Sequence, residues 1–596
     1  MKTKTGYYTR NFPVAPASKD YITLESWRKS TVQWFLPDSP HLKEFVSPPY
    51  PSCLEGTIKF FNSEFRSLGQ EYDWVTNPET NFKYNSSQHW SLINDFSSAS
   101  GDIKFVWEKS RFSFIYDLIR YDAFSGTDHS NWIWKEILSW IASNPINAGP
   151  NYKCSQEISL RSLAWISALY FYKQSSSLTS DIFAKIQHVL YWQFKHVFDH
   201  IDFSRIAVRN NHAITETLAL YIGGTVFPEF PNAAAWKLEG KKWFEQEVAY
   251  QVYEDGTYLQ FSMNYHRVVV QLLSLAISFA KANNEEFADV VYSRAYASLE
   301  FLFCCQDKQT GFLPNYGSND GALFFPLSNS EYRDFRPQLN ALHHLLTGLP
   351  LYEHGSYAEE AVWWNVEKLS VKKFPPIKSS IGWKTFPDGG YAIMREENGF
   401  SFIRCGRHKD RPAQADNLHL DIWLNGSNLL HDAGSYKYNT SPELTAWFMG
   451  SLGHNTVMLG NASQMLKGPR FIWFNWSQAE EMKVSDTNEF YEFQGQIAAF
   501  GHIAPDIKHK RTIRKSKSQH RWVIIDELIN KPDNLEMIQV WHPLNNQVTI
   551  QASTKDQQLL SESGKGWKSL YYGLKEETDF IQFRTTQNLI TTIISL

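Results

Sequence analysis

The sequence predicts an α+β multidomain chain, a helical N-terminal array followed by a C-terminal antiparallel β-sandwich. Three observations predict it. Apolar residues recur at three- and four-residue steps up to about residue 365, two consecutive prolines stand at Pro375 and Pro376, and Asn-Gly turns between alternating segments follow them. At 596 residues the chain exceeds what one core organises, so two units, 1–370 and 371–596, are expected.

In the first unit, Phe261, Tyr265, Val268, Val269, Leu272 and Ala276 fall on one face of a helix. Similar periods run over Leu160–Tyr172, Ile182–Phe198, His212–Ile222 and Tyr292–Phe303. Helix after helix with short polar connections implies a bundle, a solenoid or a toroid. Pro375-Pro376 ends this pattern, because proline lacks the amide donor and pushes its predecessor into extended backbone. Strand signatures follow at Tyr391–Met394, Phe400–Arg404, Arg521–Ile525 and Met537–Trp541, with hairpin turns at Asn398-Gly399 and Asn425-Gly426. Read as a strand, the stretch from Gln414 to Trp423 points Gln414 and Asp416 the same way, on a face costly to bury without partners.

The bulk composition excludes several classes. A net charge of −4 provides no field to recruit nucleic acid or an anionic membrane surface. The basic run Lys508–Arg511 with Arg514, Lys515 and Lys517 reads as a solvated sheet edge. The 22 Trp, 29 Tyr and 41 Phe suit stacking on sugar rings, but composition alone favours core filling. Five cysteines at irregular spacing support neither a disulfide framework nor a zinc ribbon. The first ten residues carry no apolar segment behind their charges, and no stretch approaches the ~20 apolar residues of a membrane span, so neither an export signal nor membrane insertion is expected.

Three polar constellations carry chemistry in the helical half. Arg209-Asn210-Asn211-His212 stands where a helix should begin, which suits either an N-cap or a carboxylate receptor at the positive end of the helix dipole. Tyr265 lies on an apolar stripe, so it is either a core tyrosine or a phenol facing a cleft, its pKa lowered by His266 or Arg267. The loop Asn315–Gly321 lacks the Gly-Lys-Ser/Thr ending of a phosphate loop, so no nucleotide or other organic cofactor is expected. In the β half, Gln414, Asp432 and His454 supply oxygen and imidazole ligands that suit zinc or a harder ion such as calcium, although a hydrogen-bonded cluster is the simpler reading of these residues alone.

Taken in order, the segments Gly101–Phe112, Asn144-Pro145, Gln156–Arg161, Asn210–His212, Tyr265-His266, Gln414–Gly434 and His454–Val457 resemble the heparinase II/III family of polysaccharide lyases. The resemblance covers most of the chain. It implies an (α/α) toroid followed by an antiparallel β-sandwich, and β-elimination at a uronic acid within an acidic polysaccharide. By motif, Asn211 and His212 match the groups that neutralise the substrate carboxylate, and Tyr265 matches the catalytic tyrosine. Gln414, Asp432 and His454 match the positions of a single structural divalent metal ion, with Gln in place of the more frequent His. The chain departs from the family where a catalytic His commonly stands two residues before the first metal position. Pro412 occupies that place, and His419, inside the same motif, is the expected substitute, ahead of His408. Arg209, His266, Arg267, Arg407 and His408, with Arg411, are the groups available for carboxylate or sulfate, or otherwise for ordinary salt bridging. The resemblance places such proteins in the periplasm or cell envelope and leaves a homo-oligomer open. Two other readings fit the residues: a glycoside hydrolase using two of Glu216, Asp255 and Asp320, and a non-catalytic glycan-binding protein of an exopolysaccharide pathway.

Overall fold

A computed structural model describes residues 19–34, 45, 47–94, 96–97, 99–353, 355–544 and 547–596, so the N-terminal residues read above for an export signal lie outside the described part. Ten of the described helices, each of seven residues or more, form the body of the first unit: α1 (Lys104–Ser110), α2 (Phe114–Ser125), α3 (Ser130–Ser143), α4 (Ser155–Phe171), α5 (Ser180–Asp202), α6 (Asn211–Val226), α7 (Ala233–Gln251), α8 (Met263–Ala282), α9 (Asp289–Cys304) and α10 (Arg336–Thr347). The even-numbered helices α2, α4, α6, α8 and α10 pack against one another in succession, and odd-numbered ones pack outside them. Burial follows that order. Every residue of α6 except His212 is buried, whereas α7 and α9 alternate buried and exposed positions. Helices apolar all round sit inside, and amphipathic ones cover them, which is the construction of an (α/α) toroid. Inner and outer layers come close where α6 meets α7. A Cβ at Gly224 would stand 2.4 Å from the Ala233 carbonyl oxygen, and one at Gly240 2.5 Å from the Tyr221 nitrogen. None of the described helices is long and apolar enough to cross a membrane.

The second unit opens with a five-stranded antiparallel sheet in chain order, β1 (Gly382–Phe386), β2 (Tyr391–Arg395), β3 (Gly399–Arg404), β4 (Leu420–Leu424) and β5 (Ser427–Leu430). Its two faces serve two cores. Tyr391, Ile393, Phe400, Phe402 and Trp423 join the helical core, while Ala392, Ile403, Leu420 and Ile422 join the core of the sandwich. Strands β2 and β3 are consequently buried along their whole length. Most of the remaining strands form a four-stranded sheet containing Val457–Leu459, Met537–Trp541, Leu574–Thr585 and Glu562–Tyr571, and a six-stranded sheet from Gln478–Asp486 to Thr549–Ser553, with a small hairpin of Leu466–Lys467 and Trp473–Phe474 beside them. All three sheets contribute to one apolar core.

One expectation holds here and two change. The β4–β5 hairpin turns at Asn425 and Gly426, both at positive φ (50° and 78°), as an Asn-Gly turn requires. The strand begins only at Leu420, however, and Gln414–His419 is irregular loop, so period-2 alternation does not orient Gln414 and Asp416. The basic run is not a sheet edge: Lys508–Ser516 is an interior strand of the six-stranded sheet. Its outward cations meet cross-strand acids, Lys508 with Glu480 at 2.8 Å and Arg514 with Glu492 at 2.5 Å. Its inward Arg511 is fully buried on Asp526 in a bidentate pair of 2.7 and 2.8 Å. The same guanidinium donates to the carbonyls of Leu418 (2.6 Å) and Asn455 (2.7 Å), pinning the two loops that carry the polar motifs of the β half. Removing one member of such a pair costs about 3–5 kcal/mol, because the other charge is left buried alone.

Candidate active site

The helix starts and the loops above them enclose a cleft of about 410 Å³, into which Asn211, His212, Tyr265 and Arg209 all open. The backbone sets this up at α6. Phe203–Val208 winds as a π-turn, and Arg209 then takes positive φ (45°), an uncommon conformation for a side-chain-bearing residue. Asn210 is the N-cap, its side-chain oxygen accepting the His212 amide at 3.1 Å. Capping therefore falls to Asn210 and leaves Asn211 free. The Asn211 backbone amide donates to Gln260 Oε1 at 3.0 Å, and its side-chain amide has no hydrogen-bond partner among the described residues. An unpaired amide donor at a helix N-terminus is a receptor for an anion.

His212 follows on the same turn, with 34% of its side chain exposed to the cleft. Its Nδ1 lies 3.9 Å from the Cys154 thiol and 3.9 Å from Glu216 Oε1. Burial lowers its pKa to about 4, against the opposing fields of Glu157 and Asp320, so the imidazole is neutral at ordinary pH. Glu216 beneath it is pushed up to about 8 by desolvation, only partly offset by the Ser204 hydroxyl that donates to it at 2.6 Å.

Tyr265 sits in the first turn of α8, where the Ser262 hydroxyl caps its backbone amide at 3.1 Å. Its phenol is hydrogen-bonded to the Tyr438 phenol and lies beside the Asp320 carboxylate. Asp320 is held by Lys104 at 2.5 Å, and the Lys104 ammonium also lies over the Tyr438 ring, 4.4 Å from its centroid. Burial, then the Asp320 charge, raises the Tyr265 pKa well above the usual phenol value. The expected lowering by His266 or Arg267 does not occur. His266 is buried between Tyr258 and Phe301, and Arg267 is buried on Asn264 and the Tyr332 carbonyl. Neither lines the cleft, because successive helical residues point about 100° apart. The neighbouring cation is Lys104, which belongs to α1.

The sequence reading missed Tyr438, Lys104 and Gln260 as cleft groups, and took Asp320 only as a hydrolase carboxylate. Tyr438 lies six residues beyond Asp432 in a loop, and a Tyr-x-Tyr pair there was its one visible signal. Arg411 lines the cleft, and Pro412 beside it brings no proton-transfer group. Arg407 and His408 line a neighbouring depression rather than the cleft. His408 itself is buried against Phe261 and Trp476.

His419 is not at the cleft either. It is fully buried, its Nδ1 accepting the Asn455 amide at 3.0 Å and its Nε2 facing Asp421 and Asp432 at 3.7 and 3.8 Å. A ring whose Nδ1 accepts an N–H carries its own proton on Nε2 when neutral, which aims a donor at those carboxylates. His419, Asp432 and His454 are close enough to form a group able to hold a metal ion. The donor set supports an ion beside Asp432. His454 Nδ1 lies 2.9 Å from Asp432 Oδ2, and His454 Nε2 is buried with no partner. Gln414 donates to the carbonyls of Gly434 (3.2 Å) and Phe448 (3.0 Å), leaving its Oε1 buried and unpartnered. Gly434 in turn donates to Asp432 Oδ1 at 2.7 Å, so the backbone of one glycine meets both the Gln414 side chain and that carboxylate. Buried polar atoms without partners are rare in proteins, and an ion satisfies several at once.

Comparison with known proteins follows this geometry. Residues 55–299 match the family described as Heparinase II/III N-terminus, and residues 381–591 match that described as Heparinase II/III-like, C-terminal. Heparin-sulfate lyase of Bacteroides stercoris is 24% identical over 333 residues, 54% of this chain and 44% of that protein. Heparin-sulfate lyase of Bacteroides thetaiotaomicron is 25% identical over 357 residues, 55% of this chain and 47% of that protein. The chain thus matches under half the length of these curated relatives. Among solved structures, heparinase III superposes with a TM-score of 0.66 at 16% identity, covering 96% of this chain and 88% of the other. Heparan sulfate lyase from Pedobacter heparinus gives 0.57 at 15% identity, with coverage of 96% and 87%. These likenesses establish the shared fold.

Proposed function

Because the chain belongs to the heparinase II/III family, we propose that it cleaves a uronate-containing acidic polysaccharide by β-elimination in the cleft at the starts of α6 and α8. One observation carries the reading: an unpartnered Asn211 amide, a neutral imidazole at His212 and a protonated phenol at Tyr265 open into the same cleft. The Asn211 amide and the helix dipole take the uronate carboxylate, and the negative charge that develops there as C5–H breaks is stabilised electrostatically. His212 accepts the C5 proton, the C4–O4 bond breaks as the C4=C5 bond forms, and Tyr265 gives its phenolic proton to O4. The proton on the imidazolium then returns to the phenolate through solvent. The Tyr438 hydroxyl and Asp320 hold the Tyr265 hydroxyl in place, and Lys104 screens the carboxylate beneath it. His212 takes the base role because it is the histidine among the cleft-lining residues, which His419 is not.

A divalent ion held by Gln414, Asp432 and His454 would supply charge that ties the loop before β4 to the loop after Asp432. Zinc suits this nitrogen-and-oxygen set better than calcium, which favours oxygen ligands alone. His419, whose Nε2 faces Asp432 at 3.8 Å, stands beside that ion.

A hydrolase needs two carboxylates free to act as acid and base across the cleft. Here Glu216 lies outside the cleft lining and accepts the Ser204 hydroxyl at 2.6 Å, Asp320 is locked on Lys104, and Asp255 hydrogen-bonds the backbone of residues 388 and 389. Incubation with heparan sulfate, alginate and hyaluronate tests the proposal. A 4,5-unsaturated uronate absorbing in the ultraviolet is expected from at least one polymer. Reducing ends without that absorbance would make it a hydrolase, and binding without turnover of any would make it a glycan-binding protein.

A further inference from the structure

Beyond Arg209 and Asp410 the cleft is adjoined by a second depression lined by Tyr250, Tyr253, Arg294, Arg407 and Lys409. Tyr250 joins the two. Its hydroxyl donates to Asp410 Oδ1 at 3.1 Å, and Asp410 lines the cleft. Arg209, also of the cleft, has its guanidinium 3.5 Å from the Tyr250 ring centroid, and the Lys409 ammonium stands 3.6 Å from the same centroid. Two cations gathered on one ring repel each other, and the ring quadrupole offsets only part of that.

Among the described residues, none of the carboxylates nearby is ion-paired to Arg209, Arg407, Lys409 or Arg411. Glu254 is paired with Arg294 at 3.1 Å. Asp388 accepts the Asp255 amide at 3.3 Å, and Asp410 is held by the Tyr250 hydroxyl. Arg407 uses its Nε on the Ala479 carbonyl at 3.2 Å. Arg209, Arg407, Lys409 and Arg411 make no ion pair among the described residues. A row of unmatched cations thus runs from Arg411 and Arg209 at the cleft to Lys409 and Arg407 outside it, on one side of the reaction centre.

We infer that this row is an outer subsite for the carboxylate or sulfate of a sugar further along the chain, so that the enzyme grips an anionic polymer at two points. The inference takes its ligand class from the lyase reading above. Tyr250 is the spacer that keeps Arg209 and Lys409 apart, and an anion seated between Lys409 and Arg407 relieves their repulsion through charge-assisted hydrogen bonds.

Two measurements test it, one of which needs no turnover. In the first, fluorescently labelled decasaccharides of heparan sulfate, alginate and hyaluronate are titrated onto the full chain at two ionic strengths. Lys409→Ala and Arg407→Ala should each weaken the best of them about tenfold and flatten its salt dependence, whereas Lys409→Arg should retain it. In the second, kcat/KM is followed from tetrasaccharide to decasaccharide, and the advantage of the longer substrates should shrink about tenfold in Lys409→Ala. If the wild-type protein binds none of the decasaccharides, or if the double variant binds and cleaves all lengths as the wild type does, the subsite is wrong. Equal affinity for a single-stranded DNA of matched charge would also overturn it, reducing the patch to an unselective polyanion surface. If binding falls as expected but no polymer is ever cleaved, the subsite stands and the lyase reading fails.

Discussion

The cleft at α6 and α8 and the sealed cluster around Asp432 are built from similar groups, yet they differ in where their unsatisfied atoms point. In the cleft, the Asn211 amide lines the wall and the His212 ring is part-exposed beside a phenol. Around Asp432, the unpartnered atoms of Gln414, His419 and His454 have no access to water. An open unsatisfied donor costs little until a substrate arrives, whereas a sealed one must be satisfied by an ion or remain a standing cost. The difference separates reactivity from support, although both motifs look alike as strings of Asn, His and Asp.

The sharpest way to break that contrast is at the phenol. Tyr265→Phe should lower kcat by at least ~10³-fold, and Asn211→Ala by about 10²-fold or more, with melting temperatures close to wild type. Initial rates from ultraviolet product absorbance on a cleaved polymer check this, and full activity in both variants would move the reaction elsewhere. The converse belongs to the sealed cluster. Asp432→Ala should cost about 3 kcal/mol of stability by denaturant titration, through two buried imidazoles left without their carboxylate. A chelator should lower the melting temperature of the wild type but not of Asp432→Ala, and metal analysis of the purified protein reads the same point without activity.

A smaller effect concerns Glu216, between the two behaviours. Its pKa in the folded chain is raised to about 8, above its unfolded value near 4.5. The folded state therefore binds the proton more tightly, and its stability relative to the unfolded chain falls as pH rises from about 4.5 to about 8. Glu216→Gln should remove that fall and gain on the order of 2 kcal/mol above pH 8, after relaxation is allowed for. The smallest expected signal is the acid limb of the rate profile. With His212 near pKa 4, activity should rise through about pH 4 and stay flat to alkaline pH, since Tyr265 remains protonated. A limb centred near pH 6.5 would assign the base to a different group.

Much of the fold was legible because local rules agreed with the tertiary outcome. Helical periods marked α4, α5, α6, α8 and α9, Pro375-Pro376 preceded β1, and Asn425-Gly426 made the β4–β5 hairpin. Where local rules were extended to the site they failed for identifiable reasons. Sequence adjacency put His266 and Arg267 beside Tyr265, but the helix turns them into the core. Alternation was applied to Gln414–His419, but that segment is a loop whose shape depends on Arg511, roughly a hundred residues later. His419 read as reactive because imidazole in a polar motif suggests proton transfer, and only packing reveals that the ring is fully buried away from the cleft.

The sequence by itself determined the order of helical and strand units, the helix start that presents Asn211 and His212, and two members, Asp432 and His454, of the group close enough to hold an ion. These are properties of backbone periodicity, capping and composition, which act over a few residues. Only the tertiary structure decided that Lys104, Tyr265, Asp320 and Tyr438 form one network, that His212 rather than His419 faces the cleft, and that unmatched cations run past Tyr250. Those outcomes bring together side chains from α1, α8 and two separate loops, and no local rule relates residues so far apart in the chain.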